Sequence, residues 1–247
     1  MKVFENQLEK FFSQPKNTTR REALLLNRLS YDFQLAAAFN NYYLKVYISD
    51  VDDNGYDVII DSEMYTKKLQ VKSVMVNSST NAWYISKGLI KPSMENQRRL
   101  NAWSHIDISG IEGGVVVQQV RLENEIVHIK YFYTDIWLLT AMALGILGSE
   151  IQEKSAIKVL ASLSGFDYHE KQRIPLSLFF ESRDVESLLG VMGFRTRYDL
   201  SMHRYLMCER HTGSLGPREH IDKRIRQELF KFGEMYCYQN GNTGESR

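Results

Sequence analysis

Asp57, Gln70 and Lys72 carry most of the chemistry that this chain offers. In Gly55-Tyr56-Asp57-Val58-Ile59-Ile60-Asp61 a carboxylate opens an apolar run, and in Leu69-Gln70-Val71-Lys72-Ser73 an amide and an amine alternate along a second one. Alternation puts Gln70 and Lys72 on one face of a strand and turns Val71 to the other. Paired as a hairpin, the two runs bring Asp57 to the same place. An acid, a carbonyl oxygen and an ammonium converging at a sheet edge suit a hard cation and a water. Asp61 lies two steps further along the Asp57 face and reads as a solvated hairpin acid.

These residues need strands to hold them and a helix to back them. Val3 to Phe12 has helical spacing, Pro15 to Thr19 interrupts it, and Thr18 or Thr19 suits the cap of the next helix. Arg20 to Tyr43 is rich in helix formers. Glu22, Leu25, Leu26, Leu29, Phe33, Ala36 and Ala37 fall on one stripe, with Ser30 as a point where the helix would break. Tyr42 to Ser49 reads as the first strand and Asp50 to Gly55 as a turn. Further along, Trp83-Tyr84-Ile85 has strand character, and Ser93 to Trp103 is helical. Val115 to Leu122 and Ile126 to Tyr133 are strands joined at Glu123-Asn124, and Thr134 or Asp135 caps an apolar helix to about Leu147. Beyond Glu150 the pattern predicts helices over Ile151 to Leu163, Ser177 to Val191, Asp199 to Arg210 and Glu219 to Tyr238. The expected organisation is an α/β core over 1–150, a mainly helical region over 151–239, and a polar, disordered tail over 240–247.

A helix, a strand, a Gly-Tyr-Asp strand and a Leu-Gln-Val-Lys-Ser strand, in this order, resemble the PD-(D/E)xK nuclease superfamily. The resemblance spans roughly 21–147. It implies a restriction-endonuclease-like mixed sheet flanked by helices, acting on DNA with Mg2+ or Mn2+. Carried over, Asp57 is the metal-binding acid, Gln70 the second ligand position, the Val71 carbonyl a further ligand and Lys72 the catalytic lysine. An acid from the first core helix also belongs to such sites, and both Glu22 and Asp32 remain open for it. Gln70 stands where the family more often has glutamate; it keeps a carbonyl oxygen and loses a charge. That departure keeps a competing expectation alive, a weakly active or inactive nuclease-fold subunit that binds nucleic acid or regulates a defence or repair assembly. A protein-interaction module without chemistry would leave the Asp57 to Lys72 pattern unexplained.

The rest of the chain sets bounds. Its 247 residues are 43% hydrophobic and 25% charged with a net charge of +1, an ordinary globular composition. Cys208 and Cys237 form no close pair and read as free thiols in a reducing compartment. His203, Cys208, His211 and His220 have no tight zinc-ligand spacing, so packing and solvent-facing roles are the simpler reading. Arg195, Arg197, Arg204, Lys223 and Arg224 give the C-terminal region a local basic character suited to phosphates, although Asp199, Glu209, Glu219, Asp222 and Glu228 dilute it. The apolar run Trp137 to Leu147 is shorter than the ~20 residues a membrane-spanning helix needs, and Met1 to Gln14 lacks a signal-peptide core. A cytoplasmic protein without a membrane partner is the expectation, and a homodimer is a reasonable arrangement for cutting both strands of a duplex.

Overall fold

The computed structural model describes residues 7–49, 55–104, 106, 109–165, 169–196 and 201–235. The chain starts with α1 (Gln7–Ser13) and α2 (Thr18–Phe39). Asn17, one residue before α2, is its N-cap, and its amide donates to the Phe11 carbonyl at 3.0 Å. Thr18 is already helical and donates its hydroxyl back to Pro15 at 2.7 Å. The helix runs through Ser30 without a break. Its stripe is as periodic as the sequence implies: Leu25, Leu29, Phe33, Ala36 and Ala37 are buried, while Glu22 at the same azimuth is exposed.

Then follow β1 (Lys45–Ile48), β2 (Val58–Asp61), β3 (Thr66–Met75) and β4 (Ala82–Ser86). Next come α3 (Lys87–Ile90), α4 (Met94–Ser104), β5 (Gly114–Glu123), β6 (Ile126–Asp135), α5 (Ile136–Ala143) and α6 (Glu150–Ser162). The chain closes with β7 (Lys171–Pro175), β8 (Phe180–Ser182), α7 (Val185–Met192), α8 (Met202–Thr212), α9 (Arg218–Phe230) and β9 (Gly233–Met235). The main sheet has the order β1-β2-β3-β5-β6-β8-β9 and is mixed, with β3 and β5 parallel and the other neighbours antiparallel. The hairpin between β5 and β6 turns at Asn124 and Glu125, both with positive φ, the backbone of a type I′ turn. That places the turn one residue later than composition suggests.

Helices flank the sheet. α2 packs beside α7 and on β3, and α6 packs on α5 and reaches β7, which pairs with β4 in a separate two-stranded ribbon. Asp135 caps α5, its Oδ1 accepting the N–H groups of Trp137 and Leu138 at 3.0 Å each. The core is continuous, from Leu29 and Phe33 on α2 through Val115 to Val117 on β5 to Leu188 and Leu229. No helix among the described residues is long and apolar enough to cross a membrane.

The second half is less helical than its periodicity predicts. Ser177 to Val191 contains β8 before α7, and the last helix ends at Phe230, so that β9 occupies residues read as helix. β8 and β9 extend the main sheet beyond β6, and so this region elaborates the sheet and is not a separate helical lobe. The tail 240–247 lies outside the described residues.

Candidate functional site

A mismatch in strand length makes the site. β2 has four residues and β3 has ten, and the two pair only from Val58 opposite Leu69 to Asp61 opposite Thr66. From Gln70 onward β3 continues along β5 with no strand on its other side among the described residues. Asp57 occupies the start of that opening. Its N–H donates to the Leu69 carbonyl at 2.8 Å although the ladder pairs Leu69 with Val58. Two residues thus face one, the arrangement of a β-bulge, which ends pairing and re-aims a side chain. The Asp57 carboxylate then accepts the Val71 N–H at 2.6 Å, taking the place a strand would have filled. Gly55 makes the approach possible: its φ is +72°, and a Cβ there would lie 2.8 Å from that of Ser86.

Around this opening lies a cleft of about 420 Å³ lined by Glu22 and Leu26 of α2, Asp57, Val71 and Lys72, with Trp83 and Gln118 completing its walls. Lys72 and Glu22 are without hydrogen-bond or ion-pair partners among the described residues. Of the two helix acids, Glu22 lines this cleft. Asp32 lies elsewhere, taking a two-atom hydrogen bond from Arg28 at 2.8 and 2.9 Å and one from the Tyr131 hydroxyl at 2.9 Å. Burial, and then Asp32, push the Tyr131 hydroxyl well above its ordinary range. Gln70 does not line the cleft. It is 5% exposed, and its Oε1 is buried without a hydrogen-bond partner. An unpaired buried carbonyl costs about 1–3 kcal/mol.

Trp83 and Gln118 were not among the residues singled out by sequence. Trp83 is placed by pairing of β4 with β7, whose register joins Trp83 to Ile174 across 91 positions, and it packs edge-on against Phe179 at 5.8 Å. Gln118 did leave a signal, an amide directly after Val115-Val116-Val117. Its Nε2 donates to the Leu25 carbonyl at 3.1 Å, which ties α2 to β5 one turn from Glu22.

A second charged cluster is closed. Asp135, fully buried, accepts from the Tyr133 hydroxyl at 2.7 Å, Arg204 at 2.8 Å and Lys67 at 3.3 Å. Arg204 also donates to the Tyr65 hydroxyl at 2.9 Å, and Lys67 to the Glu112 carbonyl at 3.3 Å. Burial pushes the Asp135 carboxyl up, but Lys67, Arg204 and the backbone N–H of Leu138 outweigh it and hold the group well below the usual carboxylate range. Beside them His203 is buried with its Nε2 unpartnered, and burial followed by the Arg204 charge lowers it to about 3.

Arg204 is therefore committed to the interior and does not belong with a phosphate-binding surface, a correction to its sequence grouping. Arg195, Lys223 and Arg224 are exposed, the last two on α9, and Arg197 lies outside the described residues. Cys208 is half-buried with Arg99 at 3.7 Å from its sulfur. Cys237 is outside the described residues. Among the described residues no three of His, Cys, Asp and Glu are grouped to hold a metal ion, the zinc candidates included. Compared with protein-family models, with curated proteins and with solved structures, the chain matches none, and its fold and cleft stand on their own geometry.

Proposed function

We propose that the chain is a metal-dependent nuclease of the PD-(D/E)xK type, with a restriction-endonuclease-like core, that hydrolyses phosphodiester bonds in DNA. One observation carries this reading: Asp57, Lys72 and Glu22, far apart in sequence, line one cleft at an open strand edge. The donor set fits a hard cation. Asp57 and Glu22 supply carboxylates, and the Val71 carbonyl shares the open edge with its N–H, because both groups of a strand residue point the same way. Mg2+ asks for only one or two carboxylates and keeps several waters, so two acids suffice. When bound, Mg2+ or Mn2+ would supply Lewis-acid stabilisation of phosphate charge and ionisation of a water. Lys72, with no partner to neutralise it among the described residues, would orient that water and offset charge developing on the phosphate. Asp57 holds the Val71 N–H and fixes the edge against which the phosphate lies.

A second reading is a nucleic-acid-binding or regulatory subunit with the same core and little or no activity. The position of Gln70 favours it, since the side chain expected as second ligand is buried and is not in the lining of the cleft. Incubation of the purified chain with plasmid and with single-stranded DNA, in Mg2+ or Mn2+, separates the two. Cleavage that falls by about 100-fold or more in Asp57→Ala and in Lys72→Ala supports the nuclease. Cleavage unchanged in both variants sinks the site assignment. DNA binding with no cleavage under either metal gives the second reading.

A further inference from the structure

The two ends of the Gln118 amide are used differently. Its nitrogen donates to the Leu25 carbonyl of α2 at 3.1 Å, whereas its oxygen is buried without a hydrogen-bond partner. That contact fixes which end is which. The Leu25 carbonyl can only accept, and an exchanged amide would set oxygen against oxygen. The residue itself has no solvent exposure. A buried acceptor without a donor marks the place of a water, an ion or a reacting group.

Strand register says what lies beside this oxygen. Gln118 is directly opposite Ser73 on β3, and residues paired in this way project from one face of the sheet. Val71, two steps back along β3, is on that face too. α2 covers the same face, as the Leu25 contact requires, and Glu22 is one turn before Leu25 on it. Glu22, Val71, Ser73 and Gln118 all line the cleft that Asp57 enters from the open edge. Gln118 thus differs from Gln70, which is not in that wall.

We propose that the Gln118 Oε1 is a neutral oxygen ligand for the divalent cation of this cleft, beside the carboxylates of Asp57 and Glu22. The chemistry matches. Hard cations take amide carbonyls together with carboxylates, and a neutral oxygen adds a ligand without adding a charge. The bond to Leu25 holds the amide in one orientation, as a partner beyond the ligand does in metal sites.

The inference rests on the nuclease reading for the presence of a cation, so its test reads binding and not cleavage. The full chain, stripped of metal, is titrated with Mn2+ in a calorimeter, and its melting temperature is followed with and without Mn2+. Gln118→Met, similar in volume but without the amide, is expected to weaken Mn2+ binding about tenfold. Circular dichroism verifies its fold. Gln118→Glu is expected to melt lower than the parent without metal and to gain more from Mn2+, because the cation neutralises the added carboxylate. This variant keeps the shape of the side chain and decides the matter if Gln118→Met does not fold. Affinity unchanged in Gln118→Met, together with an equal Mn2+ response in Gln118→Glu and the parent, overturns the ligand, as does absence of Mn2+ binding by the parent. Unchanged affinity with slower cleavage leaves Gln118 to hold a water only, and also overturns it. Mn2+ binding that depends on Gln118 in a chain that never cleaves keeps the ligand and removes the nuclease; cleavage abolished by Asp57→Ala with Mn2+ affinity indifferent to Gln118 does the opposite.

Discussion

Lys67 lies sealed among Asp135, the Glu112 carbonyl and Tyr65, its side chain without solvent exposure, whereas Lys72, five residues further along β3, lines an open cleft without an ion-pair partner. The sealed ammonium has given up several kcal/mol of hydration, which only close pairing and further hydrogen bonds offset. It donates to Asp135, the Tyr65 hydroxyl and the Glu112 carbonyl, and Asp135 also accepts from Arg204 and Tyr133. The open ammonium keeps part of its water and, on the function proposed above, is available to an incoming phosphate. One strand thus carries a charge that holds the fold together and another that stays accessible in a cleft.

The comparison breaks most visibly at Asp135. Asp135→Ala leaves Lys67 and Arg204 buried with their shared partner gone, and an unfolding free energy lower by about 3–5 kcal/mol is expected in a denaturant titration. Lys72→Ala, the matching change at the open end, is expected to alter stability by no more than about 0.5 kcal/mol in the same titration. Its loss shows in cleavage. A large stability loss in Lys72→Ala would make both lysines structural and erase the contrast.

Acid sharpens the same comparison. Asp135 is held below its ordinary range, so its share of stability is present above about pH 4 and is lost as pH falls below that. His203, lowered to about 3 from an ordinary value near 6.5, is kept neutral by the fold while the unfolded chain takes up its proton. Its contribution is complete above about pH 6.5 and falls by up to about 1.4 kcal/mol per pH unit on the way down to 3. His203→Leu should flatten the stability profile between about pH 6 and 4; an unaltered slope would place the titrating group elsewhere.

The effect at Gln70 depends on metal. Gln70→Glu adds a buried carboxylate with no partner, and without metal a destabilisation of about 2–4 kcal/mol is expected. Added Mn2+ should restore that stability and raise the melting temperature of the variant more than that of the parent. Equal metal response in both would detach Gln70 from the site.

How far these features are visible in the sequence depends on the range of the forces that set them. The Asp57 to Lys72 pattern and the α2 stripe arise from local periodicity, and the structure brings Asp57, Lys72 and Val71 together where β3 runs on past its pairing with β2. The choice between Glu22 and Asp32 was not legible, because it depends on the register of α2 over β5, set by the Gln118 amide 93 positions from Leu25. The burial of Arg204 was hidden for the same reason. An arginine within a basic run looks solvated until a carboxylate 69 positions away is seen to face it. Likewise, β8 and β9, at three residues each, are too short for alternation to register, and their identity comes from pairing of β8 with β6 and of β9 with β8.

Those last two strands also govern the order in which the molecule can be made. β9 pairs with β8, and β8 with β6, so the sheet stays incomplete on that side until residue 235 has left the ribosome. Until β8 is made, the edge of β6 at Tyr131, Phe132 and Tyr133, all buried in the finished protein, is paired with β5 on one side and open on the other. Such an edge templates pairing between nascent chains on the same message, and it calls for a holding chaperone or fast local folding during synthesis.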